Sequence, residues 1–432
     1  MKSFLKSPYA WVPSLYFAEA VPYMAVMTLS VIMYTNLGLS NTELALYTSW
    51  LYLPWVIKPL WSPLVDSMRT KRWWIVAMQV LAGGALAAVA LTLQTSWWLK
   101  GSLCFFWLMA FGSATHDIAA DGFYILGLNE QQQALFVGIR STAYRVGMIF
   151  CQGLIVVFAG YMSEEYGFSV GWTVTMLLLA VVMLLLANWH VLTVPKVERV
   201  QENENEEAEN EMDELECEEG LDGVIRGFWL TIRTFFRKPH LLSAVLFMLL
   251  FRFPEAQLAK MAQPFMLRDI TEGGLQLNTI DVGVAYGTIG VIGLLLGGIV
   301  GGILVSRNGL KRWWWPMVLA ISVPDLVYVF FALFQPSNIY IIYMGVAIEQ
   351  LGYGFGFTAY SLFLVYFSRG ERSTSVFSLC TALQALGMML PGMMAGWLAD
   401  TLGFTLFFSF VVVCCLVTFA VSAMVKLPQV ER

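Results

Sequence analysis

Apolar runs of twenty residues and more recur along the whole chain, separated by short polar connections. They cover residues 9–34, 43–66, 73–94, 98–125, 132–160, 169–193, 241–267, 281–304, 313–334, 338–366, 373–399 and 404–425. A helix rising 1.5 Å per residue needs roughly 20 apolar residues to cross a ~30 Å hydrocarbon layer, so each run predicts one transmembrane helix. Lipid offers no partners for open backbone groups, which makes helices the expected form throughout. The fold class read from this pattern is all-α, with twelve transmembrane helices. The first run follows Lys2 and Lys6, has no small-residue cleavage site and is too long for a signal peptide, so it is expected to be retained.

Composition agrees: 58% of the 432 residues are hydrophobic and 13% charged, and the mean hydropathy is +0.68. The net charge of −5 says little about partners, because carboxylates crowd residues 198–222 while the basic residues spread along one face. With twelve spans both termini share a face, and eighteen of the 25 Lys and Arg fall on it. Lys100 and Arg268 fall on the other, and Lys58, Arg140, Arg145, Arg252 and Lys260 lie within spans. The positive-inside rule therefore places both termini and the central linker in the cytoplasm. No nucleic-acid footprint is present, and the six cysteines show no paired or metal-ligand spacing.

The chain repeats itself at an offset near 240 residues. Lys71-Arg72-Trp73-Trp74 match Lys311-Arg312-Trp313-Trp314, Gly147-Met148 match Gly387-Met388, and Gly167-Phe168 match Gly403-Phe404 at a slightly shorter offset. This predicts two six-helix bundles, 1–194 and 240–432, joined by 195–239. The acidic part of that linker repels itself and reads as a flexible tether. It leads into a segment where Phe228, Ile232, Phe235 and Phe236 share a helical face flanked by Arg226, Arg233, Arg237 and Lys238, the pattern of a helix lying on the cytoplasmic leaflet. Duplicated six-span halves, a long linker and a basic loop after the second span of each half resemble the major facilitator superfamily.

Charges inside a membrane are expensive unless paired or hydrated, so they mark candidate sites. The first span holds Glu19, the fourth Asp117 and Asp121, the seventh Arg252, Glu255 and Lys260, and the tenth Glu349. In the major facilitator fold these four helices line the central cavity, so the resemblance implies that the charges meet water there. Depth arithmetic across the short connection between the fourth and fifth spans sets Asp117 level with Arg145 and Asp121 level with Arg140, two candidate ion pairs. Buried carboxylates suit proton coupling, and Glu19, Asp117 and Glu349 are the candidates. Asp117 and Asp121 are also candidate substrate contacts, Arg145, Arg252 and Lys260 the candidate partners of an anionic substrate, and Tyr23 and Tyr353 candidate stacking partners. Tyr144 and Tyr360 share those spans. The glycine run from Gly287 lacks a Gly-Lys-Ser/Thr ending and reads as close helix packing.

Three further segments narrow the resemblance: "KPLWSPLVD" from Lys58, "SATHDIAAD" from Ser113 and "YRVGM" from Tyr144. They are similar to motifs of the AmpG muropeptide permease family, although Glu19 stands where that family has a small residue. The resemblance implies proton-driven import of N-acetylglucosaminyl-anhydro-N-acetylmuramyl peptides from periplasm to cytoplasm, through a monomer in the bacterial inner membrane. Its partners would be a small glycopeptide, protons and lipids. It points to Lys58, Asp66, Asp117, Asp121 and Arg145. Asp66, with Lys58, Lys71, Arg72, Lys311 and Arg312, is assigned to a cytoplasmic gate, one-sided because Ser306 replaces the aspartate in the second half.

Same-fold permeases for a siderophore or an acyl-CoA-type anion are the alternatives. A membrane sensor or a lipid-handling enzyme is disfavoured. His116, His190 and His240 are dispersed, no nucleophile elbow or carboxylate-rich metal cluster is visible, and no catalytic residue, metal or cofactor is expected. His116 beside Asp117 is the one histidine placed for a proton relay.

Overall fold

The computed structural model describes residues 6–196, 221–370 and 373–427. The acidic tether, the chain ends and the side chains of Asp66, Arg226 and Phe228 lie outside the described residues. Among those described there is no strand, and nine helices are long and apolar enough to cross a membrane. Eight cross singly: Pro8–Asn36, Lys71–Thr92, Trp98–Gly127, Gln131–Tyr166, Phe168–Thr193, Leu241–Leu267, Thr279–Asn308 and Leu310–Phe334. The ninth, Ser375–Met424, is long enough to cross twice and turns at Gly403. Ile339–Ser368, interrupted in polarity by Glu349 and Gln350, and the two-segment helix 41–68 complete twelve crossings.

Prolines set the local irregularities. The second crossing breaks between Asn41–Trp50 and Leu53–Met68, with Pro54 opening the second segment. The seventh breaks between Leu241–Leu250 and Phe253–Leu267, with Pro254 in the same place. Proline lacks the N–H that would continue the ladder, so each break frees backbone and sets a side chain, Tyr52 or Arg252, at mid-depth. Pro324 brings a 3-10 turn, Val323–Asp325, into the ninth crossing. The repeat seen in sequence has a backbone counterpart: Gly167 and Gly403 turn the fifth into the sixth and the eleventh into the twelfth crossing at φ 83° and 72°, a region that side chains with a Cβ rarely adopt.

The halves meet through the second crossing against the eleventh and the fifth against the eighth. On the face away from the termini one apolar core is common to both halves, joining Met24, Leu44 and Met176 to Leu258, Phe265 and Phe404. Toward the face of the termini it divides into two separate cores, around Trp11, Ile118 and Phe123 in the first half and around Phe247, Trp314 and Phe363 in the second. The molecule is therefore closed on the far face and parted on the terminal face.

Glycine makes the closure possible, since a Cβ at Gly396 would lie 1.8 Å from the Asn41 carbonyl oxygen and one at Gly287 would lie 2.0 Å from the Gln152 backbone. Gly396→Val is expected to hold the far face open. The check is Ser49→Cys, buried in this structure, which should become reactive to a membrane-impermeant thiol reagent only in the Gly396→Val background.

The surface helix Leu221–Phe236 is present, but Phe235 turns inward onto Phe367 at 5.8 Å, while Trp229 and Phe236 stay exposed. The apolar face expected from spacing is thus split between packing on the bundle and the surroundings.

Candidate functional site

Four helices of the first half, the first, second, fourth and fifth crossings, build a charged cluster at mid-depth. The carboxylates of Glu19, Asp117 and Asp121 approach within 4.8 Å of one another. Asp117 and Asp121 are one helical turn apart and share a face, as spacing required. Asp121 accepts from the Arg140 guanidinium at 2.9 Å and from the Tyr16 hydroxyl at 3.0 Å, and Arg140 lies over the rings of Tyr16 and Tyr124 at 4.5 and 4.9 Å. The depth arithmetic was thus right for Asp121 and Arg140.

It was wrong for Asp117, whose cation is Lys58 of the second crossing. Matching depth says nothing about azimuth. Arg145 faces the seam to the eighth crossing instead, its guanidinium 4.0 Å from the Cβ direction of Gly298. Lys58 belongs to this cluster rather than to a gate on the terminal face. Glu19 Oε2 is buried with no hydrogen-bond partner.

His116 is buried behind the cluster and joins Gln79, His190 and Ser14 in one hydrogen-bonded chain of 2.8 to 2.9 Å links across the fourth, third, sixth and first crossings. Two of the three histidines that looked dispersed are neighbours in space, and they brace the first half.

A wall of basic and aromatic groups spans the middle of the seam. Tyr23 packs edge-on against Trp55 at 5.3 Å. Lys260 donates to the Thr48 hydroxyl at 3.0 Å and lies 5.7 Å from the Tyr52 ring. Arg252 donates to the Tyr353 hydroxyl, lies 5.0 Å from the Phe357 ring, and keeps its Nε buried and unpartnered. Neither cation has a carboxylate oxygen within 4.0 Å among the described residues, so Arg252 and Glu255, three residues apart in the chain, form no ion pair. Tyr360 is packing: its hydroxyl donates to the Met248 carbonyl and its ring stacks on Phe251.

Glu349 is buried with Glu255 and with Asp325, which sequence reasoning missed. The signal was present, since Pro324-Asp325 is a helix-breaking acidic pair inside an otherwise apolar run. The fold thus assembles carboxylate clusters that no linear spacing displayed.

The closed far face carries a latch. Asp400, at the end of the eleventh crossing, accepts from Asn41 Nδ2 at 2.8 Å, the Thr42 backbone N–H at 2.8 Å and the Thr42 hydroxyl at 2.6 Å. Arg268 donates across the seam to the Leu39 carbonyl and to Asn41 Oδ1, and Asn36 donates to Thr279 at 2.9 Å. Of the residues assigned to a gate on the opposite face, Arg72 bonds the Val191 carbonyl within its own half, Lys71 packs over Gly122, and Lys311 and Arg312 are exposed. Among the described residues no hydrogen bond or ion pair from Arg72, Lys311 or Arg312 joins the halves in this state.

Twelve crossings in two pseudo-repeated halves, parted on one face around a charged midplane, define a secondary transporter. The family model of the Major Facilitator Superfamily matches residues 14–390, and the chain belongs to that family. It is a multi-pass membrane transporter of a small molecule and not an enzyme. It is similar to the anhydromuropeptide permease of Escherichia coli K12, at 25% identity over 364 residues, 82% of this chain and 67% of that one. A Rickettsia conorii protein that carries the name AmpG 4 is 24% identical over 394 residues, 87% of each chain. In fold it resembles the solved structure of a mutant of the nucleoside transporter NupG, with a TM-score of 0.70 at 13% identity, covering 96% of this chain and 99% of that one.

Proposed function

We propose that this protein imports anionic cell-wall turnover products, the anhydromuropeptides, by alternating access coupled to protons. The observation that carries the reading is the pair Arg252 and Lys260. Two buried cations meet at the seam with hydroxyls and rings for partners, and Arg252 Nε has no acceptor. A buried polar group without a partner is expensive, so an acidic ligand that completes these contacts is favoured by the cost it removes. Tyr23 and Tyr353 beside them offer flat surfaces for sugar rings. The similarity to the Escherichia coli permease supplies the substrate class.

The cluster of Glu19, Asp117 and Asp121, facing Lys58 and Arg140, is the place where proton uptake changes the charge that substrate meets. With the termini in the cytoplasm of an inner membrane, the structure is the inward-open form. Bundle 1–194 rocks against 240–426 about the wall of basic and aromatic groups. In the outward-open form Asp66, Lys71, Arg72, Lys311 and Arg312 come together as the cytoplasmic gate.

The test is uptake of labelled anhydromuropeptide into proteoliposomes under an imposed pH gradient. Gradient-driven uptake is expected in the wild type, with near-complete loss in Arg252→Ala and at least a tenfold higher half-saturation concentration in Lys260→Ala. Absence of uptake by folded wild type, with uptake of a siderophore or an acyl-CoA-type anion instead, overturns the substrate class while leaving the transporter in place.

A further inference from the structure

The two halves hold matching carboxylate triads with unequal charge balance. In the first half Glu19, Asp117 and Asp121 stand against two built-in cations, Lys58 on Asp117 and Arg140 on Asp121. In the second half Glu255, Asp325 and Glu349 come from the seventh, ninth and tenth crossings. They are 5%, 1% and 1% exposed, with oxygens within 4.8 Å of one another. Here no Lys or Arg nitrogen lies within 4.0 Å of a carboxylate among the described residues.

The surrounding groups are neutral or occupied. Arg252, one turn before Glu255, is turned onto Tyr353 and Phe357. Tyr286 and Tyr328 bond one another through their hydroxyls. Asp325 faces Cys415 Sγ at 3.6 Å, and Glu349 accepts from Gln350 at 3.0 Å. Glu255 Oε2 is buried with no partner at all. Three carboxylates this close and this dry do not coexist as bare anions: protons or a cation must neutralise them.

We propose that this second triad binds a hard, oxygen-seeking metal cation, Na+ or Ca2+, in exchange for protons. Such ions take carboxylate oxygens at about 2.3 to 2.6 Å, so oxygens from three side chains that all lie within 4.8 Å of one another can share one ion. Glu255 Oε2 is the free ligand, Glu349 and Asp325 are the others, and the neighbouring tyrosine hydroxyls complete the oxygen shell. Binding joins the seventh, ninth and tenth crossings, so the ion fixes the inner packing of the second half on which Arg252 is mounted. The site goes beyond the uptake reading and does not depend on it, because it needs no transported substrate.

The test is thermal unfolding of the purified, substrate-free protein. NaCl and CaCl2 are titrated separately, with choline chloride holding the ionic strength. A saturable rise in Tm is expected with one of the two salts, with affinity climbing at least about tenfold per pH unit as protons cease to compete. The rise should persist in Asp117→Asn and weaken at least tenfold in Glu349→Gln and Glu255→Gln. The latter oxygen has no partner to lose, so its removal puts folding least at risk. No saturable rise in the wild type, a rise unchanged in both triad variants, or a rise lost only in Asp117→Asn each overturns the proposal.

Discussion

Lys58→Met is expected to reduce transport to background and to lower stability by about 2–3 kcal/mol. Removing one member of a fully buried ion pair strands the other charge and costs about 3–5 kcal/mol. Here the side chains of Lys58 and Asp117 keep 22% and 25% of their exposure, so water takes up part of the loss. The damage extends beyond one bond, because Asp117 shares its surroundings with Glu19 and Asp121 and without Lys58 only Arg140 faces three carboxylates.

The double variant Lys58→Met, Asp117→Asn separates bracing from function. It removes both charges together, so thermal unfolding in detergent should recover most of the lost stability. Uptake should not recover, because the carboxylate whose protonation changes the charge of the cavity is gone. A double variant that regains transport along with stability reduces the pair to a brace between the second and fourth crossings, and the coupling role then falls to Glu19.

What was legible in the sequence follows from what one dimension records. Apolar runs fix the number and ends of the crossings, because lipid leaves a helix no choice but to be long and apolar. Pseudo-symmetry showed in Gly167-Phe168 and Gly403-Phe404, because a left-handed turn between crossings requires glycine. Depth along a helix follows from residue count, which is why Asp121 and Arg140 were paired correctly. Azimuth does not follow from it, and Asp117 went to Lys58 of a third helix rather than to Arg145.

The same limit hid both carboxylate triads, each assembled from helices far apart in the chain. Asp325 escaped notice because the apolar run around it is otherwise unbroken. The far-face latch escaped because Asp400 stands at a helix end, where an exposed acid looks unremarkable until the partner half is in place. The basic loops on the terminal face carry the plainer sequence signal, yet among the described residues Arg72, Lys311 and Arg312 make no hydrogen bond or ion pair across the halves in the state seen here.

Asp400→Ala is expected to shift the population from the form closed on the far face toward the form open there, by about thirtyfold. The carboxylate accepts three hydrogen bonds from Asn41 and Thr42. One comes from the Thr42 N–H in the first turn of the helix Asn41–Trp50, where orphan backbone donors and the helix dipole both favour an anion. Ser40 caps the neighbouring donor of Glu43 from within its own half, so Asp400 serves this helix end from across the seam. Hydrogen bonds to a charged group contribute about 1.5–3 kcal/mol when buried. Asp400 is exposed, and a total near 2 kcal/mol for the set corresponds to about a thirtyfold change in the equilibrium.

Spin labels at Glu165 and Tyr340, exposed on the far face of either half, read the change as a longer distance component that grows in Asp400→Ala and is small in the wild type. Asp400→Asn tells charge from geometry. The amide keeps an acceptor for Thr42 but loses the anion at the helix end, so an intermediate population is the expected result. An unchanged distance distribution in Asp400→Ala would place the hold on the far face in Arg268 and in the close contact of Gly396 with Asn41, and Arg268→Ala combined with Gly396→Val then becomes the variant that should open it.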